Sequence, residues 1–146
     1  MTDNKTSGNR LGVKGWFAGG RWGMERYIYA IHRLTGLGLL LFLTIHIFES
    51  SMRIYGAPVW ERTMAFLDHP LFAAGEFLII IGFAFHAING LRLVFLELGF
   101  GVGKAIEPVY PYRTSVQVQR PLAIAVMILS ALLIAAGGID LFFIRP

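Results

Sequence analysis

The sequence predicts an all-α integral membrane protein with three transmembrane helices, and three observations predict it. First, 55% of the 146 residues are hydrophobic and only 15% are charged, a balance uncommon in soluble domains. Second, the apolar residues fall in three blocks, at about 27–50, 71–98 and 122–144. Each block is near or above the roughly 20 residues that cross about 30 Å of hydrocarbon. Third, the 13 lysines and arginines follow a topology. Lys5, Arg10, Lys14, Arg21, Arg26 and Arg33 precede or open the first block, and Arg92, Lys104, Arg113 and Arg120 end the second or follow it. The other side has only Arg53, Arg62 and Arg145. That asymmetry places the N-terminus and the second loop inside and the C-terminus outside.

Residues 1–23 form a polar, Gly-rich arm, and residues 24–146 form the three-helix membrane domain. Trp16, Trp22, Tyr27 and Tyr29 suit the inner aromatic belt. The first helix is expected at about 27–53. The outer loop carries Pro58 and ends in Asp68-His69-Pro70. Asp68 is the expected cap there, with Pro70 in the first turn of the second helix, about 70–98. The run GFGVG ends that helix and opens an inner loop long enough to touch a soluble partner. Pro121 is expected to open the third helix, about 121–144. That helix is rich in Ala, Ser and Gly, which lets helices approach closely.

These features bound function. Three spans leave almost no chain for a water-soluble globule, so any catalytic domain belongs to another polypeptide. The chain has no cysteine, hence no disulfide, thiolate nucleophile or iron–sulfur cluster of its own. The first apolar block begins too late and is too long for a signal peptide. The net charge of +4 follows membrane topology and is no nucleic-acid signal.

The four histidines separate by depth. His46 lies about 22 Å along the first helix from Ile31, in the outer half. His86 lies about 22 Å along the second helix from Leu71, in the inner half. Ionisable residues at membrane depth are costly and functional by default, and neutral imidazole is a standard ligand of haem iron. Gly82 and Gly90 flank His86 at i−4 and i+4 and clear room for a flat macrocycle. The alternative is a histidine hydrogen-bonded to a neighbouring helix, with the glycines serving helix packing. His46 has less clearance, with Phe42 and Ser50 at the same offsets. Their depths differ by about 15 Å, so the two histidines belong to two haems if both are ligands. The missing axial ligands must then come from a partner subunit or a second copy. His32, beside Arg33, suits a haem propionate or a quinone oxygen, or else snorkels to the headgroups. His69 is expected to be structural.

The stretch YAIHRLTGLGLLLFLTIHIFE, followed by FHAINGLRLVFLELGFG, resembles the succinate dehydrogenase cytochrome b subunit family. The family's marks stand here as His32-Arg33-Leu34-Thr35-Gly36 and His86-Ala87-Ile88-Asn89-Gly90-Leu91-Arg92. The resemblance covers about Tyr27 to Gly101 and implies a two-subunit or fused membrane anchor beneath a flavoprotein and an iron–sulfur protein. Electrons from succinate then reach menaquinone or ubiquinone in a bacterial cytoplasmic membrane. The resemblance implies that His86 is an axial ligand of haem b. It places Arg33 near haem propionates and the inner quinone site, and Arg92 near the propionates.

Two departures matter. Tyr29 stands where single-haem members carry a quinone-contacting serine, so that quinone site is not carried over and Tyr29 is kept only as a quinone or proton candidate. His46 is similar to the outer-half histidine of two-haem members, which makes it the candidate ligand of a second haem. Arg53, at i+7 from His46, is then a candidate for a distal propionate. Glu49 and Glu76 are proton-relay candidates in the outer half, or else interfacial ion-pair partners. Two other readings stay open: the anchor of a different cytochrome b-containing oxidoreductase, such as a hydrogenase or formate dehydrogenase, and a non-haem membrane scaffold.

Overall fold

The computed structural model describes residues 24–102 and 115–144. The expected arm over 1–23, with Trp16 and Trp22, lies outside the described residues, as do Lys104 and Arg113 of the inner loop. Among the described residues four α-helices follow in order: α1 (Met24–Ser51), α2 (Ala57–Leu67), α3 (Pro70–Glu97) and α4 (Ser115–Ile139). A 3-10 turn, Met52–Tyr55, extends α1, and a wider π-type winding, Asp140–Ile144, extends α4. Among the described residues there is no strand. Three segments are long and apolar enough to cross a membrane: Met24–Tyr55, Pro70–Glu97 and Val118–Ile144.

Three local expectations are corrected. The outer loop is not irregular, because it contains α2. Gly56, at φ 91°, turns the chain out of the 3-10 turn, a conformation that costs glycine little. Pro58 then sits in the first turn of α2, where its missing N–H costs nothing. Val59, Trp60, Thr63, Met64 and Leu67 are half-buried on one face, while Glu61, Arg62 and Phe66 are exposed. At its far end Asp68 closes α2 through its backbone N–H. His69, not Asp68, caps α3: its Nδ1 accepts from the Leu71 N–H at 3.1 Å. The third correction concerns Pro121, which lies inside α4 and does not open it. The helix begins at Ser115, and a membrane helix tolerates such a proline where neighbouring groups satisfy the freed carbonyl.

α3 is the central helix, with α1 on one flank and α4 on the other. All three meet near the Met24 end of α1, where Ile28, Phe85 and Ala123 form a buried cluster lined by Met24 and Met127. Arg120 Nε donates to Glu25 Oε1 at 2.7 Å and ties α4 to α1 at the same end. Farther along α4, the backbone at Gly137 and Gly138 lies directly against Ile80 and Phe77. A Cβ would come within 2.6 Å of Ile80 Cγ2 at the first and 2.9 Å of Phe77 Cε2 at the second. Small residues at those two positions permit the approach. By contrast, every residue of α1 from Leu40 to Phe48 is exposed. α1 therefore packs on α3 through its first half and leaves its second half to lipid or another chain.

Candidate functional site

The α1–α3 contact is built around His86. Its ring lies flat on the ring of His32, with centroids 4.0 Å apart and planes 3° from parallel. His86 Nδ1 is 3.1 Å from the His32 carbonyl oxygen and 3.4 Å from Thr35 Oγ1. A carbonyl can only accept, so Nδ1 carries the hydrogen and Nε2 carries the lone pair. The Thr35 hydroxyl itself donates back to the Ile31 and His32 carbonyls, at 2.9 and 3.0 Å, which turns its own lone pair toward His86.

The glycines around this contact serve α1. A Cβ on Gly82 would meet Thr35, and one on Gly90 would meet His32 Cε1 at 3.6 Å. The space expected above and below His86 for a macrocycle is thus filled, at these two positions, by α1 side chains. Gly36 is tighter still, since a Cβ there would fall 2.8 Å from His86 Cε1.

His46 repeats the pattern on α1's exposed half. Its Nδ1 is 3.0 Å from Glu49 Oε2, and its ring stacks on Phe42 with centroids 5.5 Å apart. A carboxylate accepts, so Nδ1 again holds the hydrogen. Nε2 is turned to Ser50 Oγ at 3.5 Å, a marginal contact. His86 is level with residues 32–36 of α1, so His46 lies about 18 Å farther along the helix by rise per residue. The structure does not bring the two histidines together.

The other candidates fall into local pairs. Arg33, exposed on α1, donates to the Tyr29 hydroxyl at 3.3 Å. Arg92 Nε donates to Asn89 Oδ1 at 3.1 Å. Arg53 lies 4.3 Å over the Trp60 ring and so bonds α2 to the end of α1 by a cation–π contact. Glu76 is exposed on α3. Sequence reasoning missed Asn89, which is 1% exposed. Arginine can only donate, which fixes Oδ1 toward Arg92 and leaves Nδ2 buried without a hydrogen-bond partner. His32 Nδ1 is in the same condition. A polar amide three residues after a mid-membrane histidine was the signal available in the sequence. These two atoms suit a ligand's oxygen, as a propionate or a quinone supplies.

The matching family model, the succinate dehydrogenase/fumarate reductase transmembrane subunit, covers residues 17–136. The chain belongs to this family. Its match takes in both histidine motifs, the first two membrane spans and most of the third. The chain is similar to a succinate dehydrogenase hydrophobic membrane anchor subunit of Halobacterium salinarum, 33% identical over 57% of this chain and 67% of that protein. A protein of the same description from Archaeoglobus fulgidus is 28% identical over 56% of this chain and 69% of its own length. A succinate dehydrogenase 2 membrane subunit of Mycobacterium tuberculosis is 23% identical, over 47% of this chain and 51% of that protein. No solved structure matches. This family member is a multi-pass membrane anchor whose spanning helices are α1, α3 and α4.

Proposed function

We propose that this anchor is the cytochrome b subunit of a succinate dehydrogenase complex, holding one haem b at His86 and a second at His46. The observation that carries the reading is shared by both histidines. Each holds its Nδ1–H on a protein oxygen, the His32 carbonyl or the Glu49 carboxylate, and each therefore offers Nε2 as a lone pair. Iron-ligating histidines are oriented in this way, and the hydrogen bond raises the basicity of the ligating nitrogen. Haem b bound there supplies one-electron transfer between the iron–sulfur protein and a quinone.

This chain's residues bind and orient. His32, Asn89 and Arg92 place polar groups around His86 at the Met24 end, where a propionate or quinone oxygen meets donors. Arg33 and Tyr29 stand on the exposed side of the same end. Glu49 and Glu76 are positioned to relay protons in the other half. The chain contains no further mid-membrane histidine, so a second anchor subunit, or a second copy, supplies the other axial ligands. The flavoprotein and iron–sulfur subunits dock on the inner side, in a bacterial cytoplasmic membrane with the N-terminus inside.

The test is haem stoichiometry in the purified complex. Two b-type haems are expected, with His86→Ala and His46→Ala each removing one. Full haem content in His46→Ala overturns the two-haem reading. A reduced-minus-oxidised spectrum without b-type absorbance leaves a non-haem scaffold. Purification without a flavoprotein points to a different oxidoreductase.

A further inference from the structure

We infer that residues 32–36 of α1 form a positioning cradle for the imidazole of His86, with Gly36 as the wall that sets the ring's place. The inference rests on the reading of His86 as a haem ligand and assigns a separate role to its neighbours.

Three contacts box the ring. The His32 carbonyl takes the Nδ1–H at 3.1 Å. The His32 ring covers one face at 4.0 Å and 3°. Gly36 meets the Cε1 edge so closely that a Cβ would stand 2.8 Å away. Cβ atoms essentially never approach another heavy atom that closely, so something must give. The helical backbone of α1 is held by its own hydrogen-bond ladder, whereas the imidazole hangs on two rotatable bonds. The ring therefore moves, and with it the direction of the Nε2 lone pair. One short segment thus supplies the acceptor, the flat surface and the clearance. The spacing follows from the helix: positions 32 and 36 stand one turn apart on the same face. That explains why a histidine and a glycine are needed four residues apart on α1 when the ligand is on α3.

The chain contains its own control. Gly38 lies two residues farther along the same helix, and a Cβ there meets nothing within 4 Å. Gly36→Ala and Gly38→Ala make the same chemical change with the same gain in helix propensity. Only the first touches His86.

The experiment is electron paramagnetic resonance and redox titration of the purified oxidised complex, wild type and both variants, with haem quantified in each. Low-spin haem signals depend on the orientation of the axial rings. The expected result is that Gly36→Ala shifts the signal and midpoint potential of one haem, or releases that haem, and leaves the other unmoved. Gly38→Ala should match wild type in both. A haem-containing Gly36→Ala complex indistinguishable from Gly38→Ala overturns the cradle and leaves the haem reading intact. A wild-type complex without haem overturns the haem reading itself. If Gly36→Ala fails to assemble, His32→Phe and His32→Leu decide. Both variants lose the His32 ring nitrogens, so they differ in the flat face alone, and Leu should shift the signal farther than Phe. Equal signals in the two variants overturn the proposal.

Discussion

At the scale of single residues, hydrogen-bond polarity does more than proximity. His86 and His46 sit in different surroundings, one in a helix contact and one on an exposed face, yet each has its Nδ1 held by an oxygen. The two oxygens differ in charge. A carboxylate draws the Nδ1 proton more strongly than a carbonyl, which makes the His46 imidazole the more electron-rich of the two. Glu49→Gln retains an acceptor and removes the charge, so it should raise the midpoint potential of the haem proposed at His46. A redox titration checks this, and an unchanged potential rules out Glu49 as the group that tunes that ligand. The identity of both histidines and their positions along the helices are legible in the sequence, since rise per residue is a local property of a helix. The acceptors are less so. Glu49 follows from its i+3 spacing, but the His32 carbonyl is a backbone group on another helix.

At the scale of elements, small residues decide how close the helices come. The Ala, Ser and Gly content of the third span correctly predicts close packing, and Gly137 and Gly138 realise it against Ile80 and Phe77. Gly137→Val should overpack that contact and cost about 1–3 kcal/mol. Thermal unfolding in detergent measures it, and no loss of stability means that α3 and α4 do not meet there. The glycines around His86 illustrate the opposite case. Gly82 and Gly90 are conspicuous in the sequence beside a histidine, but they face Thr35 and His32. Sequence spacing identifies which face a glycine shares, not what lies across from it. α2 was hidden for a related reason. Pro58 and Gly56 read as loop residues, whereas they mark the first turn of a helix and the corner before it.

At the scale of the whole molecule, the three spans meet at the Met24 end of α1 and leave α1 uncovered from Leu40 to Phe48. His46 lies on that uncovered stretch, in keeping with an iron site completed by another chain. The Glu25–Arg120 pair closes the opposite end. The distribution of basic residues predicts which end faces the cytoplasm. A phosphatase reporter placed after Arg62 should be active outside the cell, and one placed in the loop after Gly101 should be inactive. The reverse pattern inverts the assigned topology. By itself the sequence determined the number of spans, the position of each histidine along its helix and the family motifs, because hydrophobic length and helical rise are properties of contiguous residues. Only the tertiary structure decided that His86 lies flat on His32, that Gly36 bounds its ring and that Asn89 is buried with an unpartnered amide nitrogen. Those facts depend on the register between α1 and α3, which side chains distant in the chain set by packing together.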